Sequence, residues 1–248
     1  MTDWGSIKGL LFDKDGTLID FFATWMPAYC AVADSIAEGA SMPERADALL
    51  LAAGYDRGND RLDAGSLLAG GTNEELIALW QGVLGDASPA DIHQRVDLVF
   101  TEFATGEVRP TAEMPGLMQA MHERGYALGI ATNDDTLTAH WTAEHLGIAH
   151  LMAFVIGADG GHGGKPGPGM GLAFCEKAKL EPPQVAMVGD SAADAKMARA
   201  AGFGAALSVC TGAASAQELA PYFDTVIDSV ADLPGLLWQN NSASGTIG

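Results

Sequence analysis

Asp13 and Asp15 stand two residues apart at the end of an apolar run, Ile7 to Phe12, in the sequence Phe12-Asp13-Lys14-Asp15-Gly16-Thr17-Leu18. A carboxylate is a poor nucleophile in water, but it attacks phosphorus usefully once a metal ion and cationic donors neutralise the approaching anions. Asp15 then has the chemistry to hold a proton for a leaving oxygen and to take one from an attacking water. Gly16 suits a sharp turn that aims both acids at one point. Three further patterns offer complementary groups. Ile130-Ala131-Thr132-Asn133 presents a hydroxyl and a run of backbone N–H groups to phosphoryl oxygens. Lys165, in Gly163-Gly164-Lys165-Pro166, is a point charge among glycines that leave room for a ligand. Asp190 and Asp194, in Val188-Gly189-Asp190-Ser191-Ala192-Ala193-Asp194, are hard oxygen donors four residues apart, of the kind that suits Mg2+.

These groups need elements that bring them together. Ile7 to Phe12 reads as a buried strand opening into a polar turn, and further strands are expected over Ala127–Ala131, Ala153–Ile156, Val185–Val188, Ala205–Val209 and Thr225–Ile227. Helical spacing lies between most of them, over Pro115–Glu123, Thr136–Leu146, Pro168–Lys179 and Ala192–Ala201. Alternating strands and helices predict an α/β fold, a Rossmann-like parallel sheet whose ligands gather at the strands' C-terminal ends. Between the first strand and the rest the pattern changes: Trp25–Ala37, Pro43–Ala53, Asn73–Leu84 and Pro89–Phe103 look helical, with no convincing strand and a glycine-rich loop over Gly54–Thr72. The expected organisation is a core over residues 1–19 and 106–238, an inserted α-helical cap over 20–105, and a flexible tail over 239–248.

The ordered set Asp13-x-Asp15-Gly16-Thr17, Thr132, Lys165 and Gly189-Asp190-x-x-x-Asp194 resembles the four motifs of the haloacid dehalogenase superfamily, over essentially residues 7 to 236. The resemblance implies Asp13 as nucleophile, Asp15 as general acid and base, and Thr132 with Asn133 as phosphoryl binders. It implies Lys165 stabilising charge on nucleophile and phosphoryl group, and Mg2+ held by Asp13, the Asp15 backbone carbonyl and Asp190. Asp194 would support Lys165 or the metal's water shell. The helical insert is similar to the cap of the subgroup that includes phosphoglycolate phosphatases and beta-phosphoglucomutases, and its expected work is to close over the substrate and choose the leaving group. A dehalogenase is disfavoured because that group lacks an acid at the position of Asp15. A phosphonatase carries a small residue there and needs a cap lysine, and no lysine occurs between Lys14 and Lys165. The expected activity is hydrolysis of a small phosphorylated metabolite such as a phosphoglycolate-like monoester. A phosphomutase and a catalytically idle phosphate-binding protein are the alternatives.

Composition sets the outer limits. Thirteen Lys and Arg against 32 Asp and Glu give a formal net charge of −19, which argues against nucleic acid and anionic membrane as partners. Cys30, Cys175 and Cys210 are too few and too scattered for a disulfide framework or a CxxC pair, and with no secretory or membrane-spanning pattern the expected location is the reducing cytoplasm. The first acidic run is not a calcium loop, since Thr24 stands at its twelfth position and Gly16 comes too early. Lys165 is followed by Pro166, so the glycine-rich stretch is not a P-loop. His140, His145 and His150 recur every five residues and so leave a common helical face. His162, Phe21, Phe22, Trp25, Arg57 and Arg61 are further candidates for touching substrate or lining its pocket, each with a bland reading as surface or packing residue.

Overall fold

Gly9–Phe12 is buried at every position, as expected of a strand covered on both faces. A computed structural model of the chain describes residues 2–63, 65–103 and 108–239. In chain order its main elements are β1 (Gly9–Phe12), α1 (Phe21–Gly39), α2 (Ala46–Ala52), β2 (Tyr55–Asp56), β3 (Arg61–Leu62), α3 (Leu67–Gly70), α4 (Asn73–Leu84), α5 (Ile92–Phe103) and α6 (Met114–Glu123). There follow β4 (Ala127–Ala131), α7 (Thr136–His145), β5 (Met152–Ile156), α8 (Gly169–Ala178), β6 (Val185–Gly189), α9 (Ala192–Ala201), β7 (Ala205–Val209), α10 (Ala216–Leu219), β8 (Thr225–Ile227) and α11 (Leu233–Gln239). The chain divides into two compact units, Met1–Asp20 with Val108–Gly248, and Phe21–Glu107.

The first unit is a six-stranded sheet in the order β5-β4-β1-β6-β7-β8, parallel at every pairing. This is the expected α/β Rossmann-like core. Phe12 pairs with Ile130 on one side and Val188 on the other, so the ends of β1, β4 and β6 lie level. One face is packed by Phe174 of α8 and Met197 of α9 against Leu11 and Met187. The sheet makes room for that layer with small residues: a Cβ on Gly129 would meet the Phe174 ring at 2.8 Å, closer than side chains approach. Asp135 starts α7 by accepting from Thr138 N at 2.7 Å, and Gly202 ends α9 in the left-handed conformation (φ 76°).

The second unit is mostly helical. Trp80 is fully buried and donates its Nε1–H to Leu49 O at 2.9 Å, which ties α4 to α2 while satisfying the indole. Thr72 and Glu75 form a capping box at the start of α4. The expectation of no strand in this region is corrected: Tyr55–Asp56 and Arg61–Leu62 pair antiparallel, inside the stretch read as a loop. Two residues a side are too few for an alternation to show in the sequence. Of the tail expected over 239–248, Gln239 instead ends α11, while the residues from 240 on and the boundary at 105 and 106 fall outside the described residues. Among the described residues no helix is long and apolar enough to cross a membrane.

Candidate active site

The loop after β1 is shaped by its own backbone. Asp13 N donates to Val188 O at 2.8 Å, carrying the β6 ladder one residue past the strand. Gly16, at φ 73°, turns the chain, and Leu18 N closes on Lys14 O at 2.9 Å. Lys14 N donates to Asp13 Oδ1 at 2.7 Å. The Asp13 carboxylate is thereby fixed, almost buried, at the tip of the sheet.

Lys165 comes from the loop after β5, and its Nζ lies 2.6 Å from Asp13 Oδ1 and 2.6 Å from Asp194 Oδ1. Asp194, fully buried on the first turn of α9, also accepts from Ser191 N at 3.0 Å and Ser191 Oγ at 2.6 Å. Burial draws the Lys165 ammonium toward a lower pKa, but Asp13 and Asp194 more than offset this and hold it above its ordinary value. Burial pushes the Asp13 carboxyl up to about 7, with the charges of Asp194 and Asp15 adding to the effect and Lys165 opposing it.

Asp190 completes the cluster. One carboxylate oxygen from each of Asp13, Asp190 and Asp194 lies within 4.8 Å of the others, a group that could hold a metal ion. Lys165 Nζ reaches Asp13 and Asp194, and the Thr17 hydroxyl donates to Asp190 Oδ1 at 3.5 Å. Burial and then the charges of Asp13 and Asp194 hold the Asp190 carboxyl well above its usual range. Uncompensated negative charge on oxygen-only donors fits a hard divalent cation. Asp194 is already spent on Lys165 and Ser191, which leaves Asp13 and Asp190 as the side chains best able to ligate. Gly16 and Gly212 flank the Asp190 carboxylate so closely that a Cβ at either position would overlap it.

Thr132 is buried at the end of β4, and its hydroxyl accepts from Asp134 N at 3.1 Å, so its own hydrogen is left to donate. Asn133 does something the sequence did not suggest. Its Oδ1 accepts from Lys165 N at 2.7 Å and its Nδ2 donates to Lys165 O at 3.1 Å, so the side chain expected to bind a phosphoryl group is committed to orienting Lys165.

Two charged residues were missed altogether. Lys14 is completely buried, with Nζ 2.6 Å from Asp15 Oδ2 and 3.0 Å from Asp134 Oδ2. Burial works against that ammonium, but the two carboxylates raise its pKa on balance. The available signal was a lysine lodged between two site acids, and an aspartate two residues beyond Thr132.

The remaining candidates are dispersed. His140, His145, His150 and His162 are exposed. Arg57 pairs with Asp34 at 3.0 Å and Asp47 at 3.1 Å, and Arg61 with Asp63 at 2.9 Å, so both arginines are taken up inside the helical unit. Phe21 packs against Phe22 and Tyr29, and Trp25 against Phe100, within that same unit.

Four ordered loops at the ends of parallel strands, with a buried Asp–Lys–Asp chain and a third aspartate beside it, define a hydrolase site of one kind, and residues 7–202 match the family model of haloacid dehalogenase-like hydrolases. The chain belongs to that family. Among curated proteins it is similar to the phosphoglycolate phosphatase of Shigella boydii serotype 4 (strain Sb227), 27% identical over 209 residues that cover 82% of this chain and 81% of the relative. Two crystal structures share its fold. One, from Haemophilus somnus 129pt and provisionally assigned as a phosphoglycolate phosphatase, aligns with a TM-score of 0.70 at 21% identity, over 93% of this chain and 98% of that one. The other, from Thermotoga maritima and provisionally assigned as a beta-phosphoglucomutase, also gives 0.70, at 16% identity over 94% and 99%. At such identities the likeness speaks to fold and not to reaction.

Proposed function

We propose that this hydrolase is a Mg2+-dependent phosphatase that acts on a small phosphorylated metabolite through an aspartyl-phosphate on Asp13. The observation that carries the reading is the buried Asp13 carboxylate, held through Oδ1 by Lys165 and Lys14 N, with Asp15 two residues away. Asp13 Oδ2 is left as the attacking oxygen. It forms a bond to phosphorus as the bond from phosphorus to the leaving oxygen breaks, and Asp15 gives that oxygen its proton. Water then attacks the phospho-aspartate, its proton passes to Asp15, and inorganic phosphate and free Asp13 are regenerated. The Thr132 hydroxyl and Lys165 donate to phosphoryl oxygens. Asp13, Asp190 and the Asp15 carbonyl would hold Mg2+, which supplies charge neutralisation for the incoming phosphate when bound.

Support comes from the family, from the curated phosphoglycolate phosphatases and from the acidic cluster. Phosphoglycolate is accordingly the first substrate to try. The helical unit acts in this reading as the cap that selects the leaving group, and the intact set of Asp13, Asp15, Lys165 and Asp190 argues against a catalytically idle phosphate-binding protein, since binding alone would not require the second acid. The three cysteines are free, in keeping with work in a reducing cytoplasm. A phosphomutase uses the same Asp13 and Asp15 and is the alternative reading.

The test is phosphate release from 2-phosphoglycolate and a panel of other metabolite phosphates, with Mg2+ and with EDTA, for wild type and Asp13→Asn. Activity that survives either EDTA or the substitution contradicts the proposal. Isomerisation of a sugar phosphate without release of inorganic phosphate would identify a mutase instead.

A further inference from the structure

Asp15 Oδ2 lies 2.6 Å from Lys14 Nζ, and that ammonium reaches Asp134 Oδ2 at 3.0 Å. Asp134 is itself anchored. Its Oδ1 accepts from Asp135 N at 2.8 Å, and its carbonyl accepts from Ala158 N at 2.9 Å. Lys14 and Asp134 belong to the loops after β1 and β4, two neighbouring strands, so the lysine ties Asp15 to a second element of the sheet. The side chain of Lys14 is wholly buried, whereas that of Asp15 keeps 26% exposure. A buried ammonium is tolerated because it has two carboxylates to satisfy it, and removing either leaves an unbalanced charge. This geometry would be an expensive way to fill space, and an aliphatic residue would fill it as well.

We propose that Lys14 is a positioning residue for the acid–base step, with Asp134 as its anchor: the pair fixes the carboxylate of Asp15 where it can exchange a proton with the leaving oxygen and with water. The inference rests on the phosphatase reading above. It separates two parts of the reaction, because attack by Asp13 on an ester whose leaving group needs no proton does not use Asp15, whereas departure of an alcohol and hydrolysis of the phospho-aspartate both do.

The experiment is a rapid-mixing measurement on the full chain with Mg2+, using 2,4-dinitrophenyl phosphate as a probe whose leaving group departs unprotonated and 2-phosphoglycolate as the alkyl ester. Lys14→Met should keep the burst of dinitrophenolate within about threefold of wild type, while steady-state turnover of both esters falls about 100-fold and KM for the dinitrophenyl ester falls with it, since only dephosphorylation is slowed there. Acid-stable phosphoenzyme should accumulate. Asp134→Asn, which keeps the lysine and disturbs the fold least, should show the same pattern at roughly 10-fold, and Lys14→Arg should recover part of the loss. Burst and turnover falling together in Asp134→Asn, or wild-type turnover in Lys14→Met, overturns the proposal. If Lys14→Met does not fold, Asp134→Asn decides the matter alone. A wild type with no Asp13-dependent release of phosphate from either ester overturns the phosphatase reading itself, an outcome recognisable without any Lys14 variant.

Discussion

The ammonium of Lys165 lies 2.6 Å from the carboxylate of Asp13, and the same ammonium is 2.6 Å from Asp194. One cation therefore serves two buried anions, and removing it strands both. Lys165→Met should cost about 3–5 kcal/mol of stability and lower kcat by roughly 100-fold or more. Urea unfolding and phosphate release measure the two separately, and an unchanged unfolding midpoint would contradict the account of the buried chain.

The acidic cluster makes stability depend on pH in a defined direction. Burial lifts Asp13 to about 7, so the native state binds a proton that the unfolded chain, with its ordinary carboxyl, releases near pH 4. The stability tied to that proton is complete below about pH 4 and is lost as pH rises through about 7. Asp190 shifts the same way. In EDTA, the thermal midpoint should fall between about pH 5 and pH 8, and Asp190→Asn should flatten the fall by roughly 2–4 °C. Mg2+ should stabilise the wild type more at the higher pH. A scan in which Asp190→Asn follows the wild-type curve speaks against this picture.

Gly212 packs against Asp190, one of the two side chains best able to ligate a metal. A methyl group there would overlap Asp190 Oδ2 and Cγ and come within 2.7 Å of Asp190 Cβ, so rotating the carboxylate away does not relieve the clash and the backbone must shift with it. Gly212→Ala should therefore lower the melting temperature as well as weaken Mg2+ binding by about 10- to 100-fold. Calorimetric titration with Mg2+ reads this directly, and wild-type affinity would show that Asp190 does not ligate.

In the helical unit, Arg57 holds Asp34, Asp47 and the Cys30 carbonyl. Its partners are largely solvent-exposed, so Arg57→Ala should cost only about 0–1 kcal/mol. Its effect on KM should be less than about twofold, since the guanidinium is already engaged. A KM increase of about tenfold for 2-phosphoglycolate would return Arg57 to the role of substrate anchor.

Much of the core could be read from the chain because its strands are short apolar runs buried on both faces. Ala127–Ala131, Ala205–Val209 and Thr225–Ile227 form strands over the expected residues. The site's main acids were legible because they follow such runs directly. Long-range pairing was not. Asn133 looks like a ligand-binding amide until its contact with Lys165, 32 residues away, is seen. Lys14 looks like surface charge until the sheet places Asp134 beside it. In the helical unit, Tyr55–Asp56 and Arg61–Leu62 were hidden by length, since a pattern of period two needs more than two residues to declare itself.

Where the chain leaves the sheet unit and returns to it, the two crossings are clipped together. Asp20 N donates to Arg109 O at 2.7 Å, Thr111 Oγ1 to Thr17 O at 2.6 Å, and Ile19 bridges Pro110. The sheet unit thus clips its own seam together between residues 17–20 and 109–111. Such a seam is a socket, between whose two crossings a different insert can be spliced over evolutionary time.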